Sequence, residues 1–373
     1  MRKTYDVAVL GATAAGYVAA LELARQGHSA IVLDVPRSGR ESPLADWLPA
    51  DVFEVCRPLR AVKPAGLEGA FRAIQFHSDQ LDREALYRQR ATAGFVLRSA
   101  RLLRALGGAA RRAGIDSLRA KQAPRHELQE SAVALEVGGQ TVRAALLLIA
   151  QDSPADVIAG LRLSVRSVPT ANLSLCGLDA PMPRGQARRN IGGALHLIAF
   201  GRGEQLGMFF AAGAVLHVRI ISGQAQAPAD VEALSGLIGR LQRGGLLPQT
   251  LDLSRAVAAI WRPPGGVALE LETHLAKRTL LVGTAGGFAS AMTGQTLDPS
   301  IRSAMVAADV AARALKASQP QEVLADYKSQ WRDVLADRIR PAGTSLQMLM
   351  PMVLANKAMA ERFARAFLYG ENI

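Results

Sequence analysis

The sequence predicts an α/β fold in which a split nucleotide-binding domain is interleaved with an antiparallel β-sheet domain and followed by C-terminal helices. Three observations carry this. Residues 5–34 read as strand, Gly-rich turn, helix and strand in order. Residues 279–315 repeat the theme as a buried strand, a Gly-rich loop and a long Ala-rich helix. Between them, apolar runs at 194–200, 205–212 and 214–221 are broken by Gly201-Arg202-Gly203-Glu204 and by Gly213, the pattern of an antiparallel meander.

At 373 residues the chain exceeds one typical core and suits two interleaved domains. Hydrophobic residues at 49% against charged residues at 20% exclude a disordered chain. A net charge of +12 is either an Arg-rich solvated surface or an attraction to phosphates or a membrane surface. Aromatics are only 5%, without finger, RRM-like or basic-helix patterns, so nucleic acid is not an expected partner. Cys56 and Cys176 lie far apart, which excludes a disulfide framework and a cysteine-based metal site and fits a reducing, cytoplasmic compartment. The basic start at Met1-Arg2-Lys3 precedes an apolar run, but Glu22 and Arg25 interrupt it, so it reads as a folded segment and not as a signal peptide. With no stretch of about 18 apolar residues, no membrane span is expected.

The elements follow in order. Residues 5–10 form an apolar strand, 14–26 a helix stopped by Gly27, and 30–33 a second strand ending at Asp34. Residues 35–90 lack periodicity and hold several prolines, the mark of loops and short elements. Apolar spacing across 94–114 predicts a helix, and 132–137 with 140–149 a hairpin turning on Gly138-Gly139. Residues 231–243 and most of 320–373 read as helical, and Asp298-Pro299 as the N-cap and first position of the long helix. The resulting division is 1–37, 90–160 and 276–318 for the nucleotide domain, 38–89 and 161–275 for the covering domain, and 319–373 for the helical tail.

Gly11-Ala12-Thr13-Ala14-Ala15-Gly16 stands where a GxGxxG turn stands, between a strand and a helix. The first glycine makes the turn, and the helix start offers free N–H groups and partial positive charge to phosphates. Thr13 replaces the middle glycine and brings a hydroxyl. Asp34 is placed to accept from an adenosine ribose hydroxyl. This motif alone does not separate FAD from NAD.

A second motif does. Leu280-Leu281-Val282-Gly283-Thr284-Ala285-Gly286-Gly287-Phe288, then Thr293-Gly294-Gln295-Thr296, resembles the C-terminal signature of two-dinucleotide-fold flavoproteins, above all the geranylgeranyl reductase group with the related monooxygenases and halogenases. Val96-Leu97-Arg98 resembles their Arg-then-helix segment, whose Arg meets the FAD phosphates, and Ile149-Ala150-Gln151-Asp152 resembles the strand that ends near the flavin. The resemblance implies a Rossmann-like, three-layer ββα FAD-binding domain. It implies cofactor contacts from Gly11, Thr13, Ala14, Ala15, Gly16, Asp34, Arg98, Asp152, Gly283, Thr284, Gly294, Gln295 and Thr296. The chain departs from the pattern at Thr13, at Ser153, at Thr284 where the family has an Asp, and at Thr296 where a Gly is common. Each departure removes a contact of about 1 kcal/mol for a neutral hydrogen bond.

The activity implied is FAD-dependent oxidoreduction, with hydride passing between flavin and an apolar substrate, isoprenoid or lipid. A flavin monooxygenase is the alternative within enzymes. A halogenase is disfavoured, because Trp47, Trp261 and Trp331 are isolated. A degenerate, non-catalytic nucleotide- or lipid-binding relative is the alternative of another class. N–H groups at Gly294, Gln295 and Thr296 could stabilise charge on reduced flavin, and Gln295 equally reads as a plain strand–helix connection. Alternation puts His196 with Ile198 and Phe200, and His217 with Val215, Arg219 and Ile221. Either histidine could deliver a proton, although a half-exposed strand histidine is the more ordinary reading of each. Cys56 sits in a Cys-Arg-Pro setting instead of the family's Cys-Gly-Gly, and reads as a buried structural thiol. Expected partners are an apolar or lipid substrate and a reduced donor, either NAD(P)H or a redox protein. The Met- and Leu-rich run 346–354, followed by Lys357, Arg362 and Arg365, reads as a helix packed on the core, as a lipid-binding wall, or as a peripheral membrane contact.

Overall fold

A computed structural model describes residues 4–36, 41–122, 124–151, 161–200, 205–223 and 228–371. The chain opens with β1 (Thr4–Leu10), α1 (Ala14–Arg25) and β2 (Ala30–Asp34). The segment without periodicity folds as β3 (Ala45–Pro49), α2 (Val52–Val55), α3 (Arg57–Gly66), β4 (Leu67–Phe71), β5 (Ala73–His77) and β6 (Glu84–Arg88). Next come β7 (Gly94–Arg98), α4 (Ser99–Arg112), β8 (Asp116–Arg119), β9 (Arg125–Leu128), β10 (Val133–Val137) and β11 (Gln140–Ile149). The middle region holds β12 (Leu173–Pro181), α5 (Arg184–Asn190), β13 (Ala194–Phe200), β14 (Gln205–Ala212), β15 (Val215–Gly223), α6 (Val231–Arg243) and β16 (Val257–Trp261). The chain closes with β17 (Leu275–Ala276), β18 (Thr279–Leu281), α7 (Leu297–Ala314), α8 (Pro320–Ala325), α9 (Tyr327–Ile339), α10 (Leu346–Ala355) and α11 (Lys357–Tyr369).

The first sheet runs β17-β18-β11-β1-β2-β8, parallel from β18 to β8. Its strands are buried on both faces, as parallel strands are. Val7 and Val9 of β1 meet Val18 and Ala19 of α1 and Ile301 and Ala304 of α7 in one core. Ala8 and Leu10 point to the other face and pack with Val133 and Leu135 of the β9–β10 layer. Helices on one side and β-strands on the other make the three-layer ββα arrangement.

The second sheet runs β16-β12-β15-β14-β13-β5-β6 and is antiparallel except at β13–β5. Period-2 alternation gives it two buried faces. Leu195, Leu197, Met208 and Phe210 face a core shared with Trp47 and with Phe363 and Phe367 of α11. Ile198, Phe209, Val218 and Ile220 face α6. A small sheet, β3-β7-β4, is hydrogen-bonded to neither and packs Ala45, Trp47, Phe71 and Val96 into the second core.

Two expectations need correcting. The helix read across 94–114 begins only at Ser99, because Gly94–Arg98 is the central strand of the small sheet, paired on both edges. Its backbone bonds outweigh a helical side-chain spacing. Asp298 is not the N-cap of α7. Thr296 is, and Asp298 sits in the first turn, held by Arg302 at 2.8 Å and Arg338 at 3.6 Å. At the C-terminus, Tyr327, Trp331, Leu335 and Ile339 recur every four residues on α9 and bury one stripe in the first core. Each contributes about 1.5–3 kcal/mol. No helix among the described residues is long and apolar enough to cross a membrane.

Candidate functional site

The turn after β1 folds on backbone needs. Gly11 has φ +119°, and a Cβ at Gly16 would stand 2.0 Å from the Gly11 oxygen, so a side chain is excluded there. Thr13 is the extended N-cap of α1. Its Oγ1 accepts from the Gly16 N–H at 3.1 Å and donates to the Ala150 oxygen at 2.9 Å. The Thr13 hydroxyl is therefore committed to the fold, and the substitution fills with protein the space the usual glycine leaves. Ala14 and Ala15 follow in the first turn, both buried. Asp34 closes β2 beside Arg119 at 3.9 Å, in an open groove of about 780 Å³ shared with Val35, Pro36, Ala120 and Lys121.

The late motif comes to the same place. Gly283 has φ +59°, and a Cβ there would meet the Ala15 Cβ and the Ala150 oxygen, both at 3.2 Å. Segments 272 residues apart in sequence, by difference of 283 and 11, thus close on one strand end. The Gly283 N–H donates to Ser303 Oγ at 3.0 Å, and Thr284 is buried beside it. Gly294 (φ +63°) lies against Leu175 of the second sheet. Gln295 donates its side-chain amide to the Trp47 oxygen at 2.6 Å and its N–H to Thr293 Oγ1 at 3.2 Å. Thr296 caps α7 without a side-chain bond.

Where these segments meet, a cavity of about 20 Å³ is lined by Ala14, Ser99 and Ser300 together with Thr296, Leu297 and Asp46. The first turns of three helices, α1, α4 and α7, therefore open on one point. Their partial positive ends favour an anion there. Ser300 Oγ is buried with no hydrogen-bond partner and stands 3.4 Å from the Cβ position of Gly283. The Asp298 carboxylate, which would oppose an anion, is neutralised by Arg302 and Arg338. This donor set fits the diphosphate of a dinucleotide. The volume holds about one water molecule, and Glu41 and Asp46 also line it.

Two assigned residues fall elsewhere, Arg98 and His196. Arg98 turns away and donates to the buried Glu68 carboxylate at 2.6 Å, which Arg101 also approaches at 3.4 Å. A buried carboxylate without a cation is costly, and this pairing explains the orientation. Ser99, the next residue, lines the cavity instead. Asp152, with Ser153, lies outside the described residues. Gln151 before them donates to the Val35 oxygen at 3.2 Å and to the Pro36 oxygen, and its Cβ covers Gly11. His196 points to the α6 face of the second sheet. Its ring nitrogens are taken by the Ile191 oxygen at 2.8 Å and by His77 at 2.9 Å, and burial pushes both histidines down to about 4. A neutral histidine with no free nitrogen, on the far face, delivers no proton to the cavity.

His217 lies on the opposite face, toward β3. Its Nδ1 is 2.7 Å from Asp179 Oδ1, while Asp179 Oδ2 accepts the Ala45 N–H at 3.0 Å. Nε2 of His217 is buried and unpartnered. Two residues on, the fully buried Arg219 reaches Asp46 at 3.3 Å, and Asp46 lines the cavity. Burial pushes the Arg219 guanidinium down from its usual value, against the pull of Asp46. Sequence reasoning missed Ser99, Ser300, Asp46 and Asp179. Asp46 and Arg219 stand 173 residues apart, and no local pattern marks the pair. It also missed His274, whose Nε2 meets the Gly286 oxygen at 2.9 Å and whose ring packs on Phe288 and Trp331, fixing the late Gly-rich turn. Cys56 is buried and its thiol is pushed up to about 12 by burial, as a structural thiol would be.

The same fold occurs in solved structures of a reductase-like protein, a monooxygenase and halogenases. No family model matches the sequence, and no curated protein matches it. Solved structures do. A geranylgeranyl bacteriochlorophyll reductase-like protein from Thermoplasma acidophilum superimposes with a TM-score of 0.73 at 16% identity, over 99% of this chain and 97% of that one. A p-nitrophenol 4-monooxygenase from Pseudomonas putida gives 0.68 at 13% identity, over 98% and 94%. A flavin-dependent brominase gives 0.68 at 12%, also over 98% and 94%. At such identities the likeness is one of fold.

Proposed function

We propose that the protein is an FAD-dependent oxidoreductase acting on an apolar substrate. The observation that carries this reading is the meeting of three helix N-termini and the unpartnered Ser300 hydroxyl at one cavity, closed on its far side by Asp46 of the sheet domain. The Ala14 and Ala15 N–H groups and Ser300 would hold the diphosphate, and Asp34 would accept from the adenosine ribose. When bound, the flavin supplies two-electron hydride chemistry. The chain's own part is to orient and to move a proton. Asp179 fixes the His217 ring through Nδ1, which leaves the buried Nε2 as the ring nitrogen that would exchange a proton. The buried Leu197, Met208 and Phe210 on that face keep water from the ring.

A second, non-catalytic reading draws on two observations: the space left is about 20 Å³, and Thr13 and Gln151 pack where a cofactor would run. Titration of the purified protein with FAD separates the two. Stoichiometric uptake with flavin absorbance near about 450 nm supports the enzyme. A protein that takes up no FAD at tens of micromolar overturns it. Product analysis with a reduced donor, under air and under argon, then separates a monooxygenase from a reductase.

A further inference from the structure

α10 is a surface helix with an unusual outer face. Leu349, Met350 and Val353 point inward to the second core. Outward stand Gln347, Met348 at 66% exposure, Pro351, Met352 at 43% and Ala355. A surface helix ordinarily carries its charges on that side. Here the whole run 341–356 holds none, in a chain where one residue in five is charged.

The charges gather at its ends. Arg340 precedes the run, and Lys357 and Arg362 follow it, all exposed. Arg340 is paired with Asp337, whereas Lys357 and Arg362 form no ion pair among the described residues. Glu361 is the one carboxylate beside them before Glu371, which Arg365 neutralises at 2.6 Å. The Asn356 side chain caps α11 by accepting from the Ala358 N–H at 2.8 Å, so Lys357 is held at the corner between the two helices. Under α10, a cavity of about 290 Å³ runs between Leu349, Pro341, Ala342 and Met292, and Met292 adjoins the Thr293–Thr296 turn.

We infer that the outer face of α10 docks on an anionic lipid bilayer. Met348 and Met352 enter the acyl boundary, where flexible thioether side chains adapt to disordered chains. Lys357 and Arg362 meet the headgroups, in keeping with the +12 charge of the chain. A second copy of the chain is the weaker occupant. Five outward side chains of one helix fall short of the roughly 800 Å² per partner that a stable dimer buries.

Flotation of the full chain with vesicles tests this. Binding is expected to phosphatidylcholine–phosphatidylglycerol vesicles, weak binding to phosphatidylcholine alone, and release by high salt. M348E/M352E and K357E/R362E should each weaken binding by about tenfold or more with the melting temperature unchanged. If M348E/M352E melts early, M348Q/M352Q serves in its place, the positions being exposed. Absence of wild-type binding overturns the inference, and so does equal binding to both vesicle types. A concentration-dependent dimer that M348E/M352E converts to monomer assigns the face to a second copy and overturns it as well.

Discussion

The Gln295 side-chain amide donates to the backbone oxygen of Trp47 at 2.6 Å, across 248 residues of chain. This bond joins the turn before α7 to β3 of the small sheet, with both partners buried. Trp47 in turn stacks on Phe367 of α11, with centroids 5.2 Å apart. The turn, the small sheet and the C-terminal helices are thus locked in one stack beside the cavity.

Gln295→Ala should therefore act first on stability. It leaves a buried carbonyl without its donor, at a cost of about 1–3 kcal/mol. Denaturant titration reads this as a lower midpoint with an unchanged slope. A variant as stable as the parent would show that the bond contributes nothing.

Ser300→Ala separates a ligand role from a packing role. The hydroxyl has no partner to lose, so stability should stay level or rise slightly. FAD affinity should fall by about 1 kcal/mol, roughly fivefold, in a fluorescence titration. Unchanged affinity would remove Ser300 from the phosphate contacts.

His217→Gln should leave flavin absorbance in place and lower kcat by about 10²–10⁴-fold if Nε2 carries the proton. Asp179→Asn, which removes the carboxylate that fixes the ring, should lower turnover as well. Full activity in His217→Gln would return the residue to packing.

Asp46→Ala leaves the Arg219 guanidinium buried without its carboxylate and should destabilise by about 3–5 kcal/mol. Replacing both with apolar residues should restore most of that loss, since the charge that needed a partner is gone. If the double variant is no better than the single one, the coupling is not electrostatic.

His77, His196 and His274 are each pushed down to about 4 by burial, against about 6.5 in an unfolded chain. Between those values the unfolded chain binds more protons than the folded one, so stability falls as pH drops from about 6.5 to about 4. The slope is on the order of 1.4 kcal/mol per pH unit for each histidine. His77 and His196 share a hydrogen bond and should titrate as a pair. Denaturant midpoints that stay flat from pH 7 to pH 5 would contradict this.

The strand–turn–helix–strand start was legible because its determinants are local. An apolar run, a turn that demands Gly11 and Gly16, and a helix stopped at Gly27 need no distant partner. The meander was legible for the same reason, and the strands at 194–200 and 205–212 stand within the expected bounds. Gly94–Arg98 was not, since its strand character depends on pairing with β3 and β4, whose own sequences carry no clear period. Arg98 shows the limit for sites. Its position before a helix was readable, while the buried Glu68 that claims its side chain belongs to another strand.

The sequence by itself determined the class of fold, the two glycine turns and the charge-free run 341–356 with basic residues after it, because each follows from nearest-neighbour conformation and composition. Only the tertiary structure decided which side chains face the cavity. Ser300, Ser99 and Asp46 arrive there from three separate elements, and His196 is carried to the opposite face from His217 by strand register. The physical reason is that orientation is set by long-range pairing and by the need of each buried charge for a partner, and neither is written within any one stretch of chain.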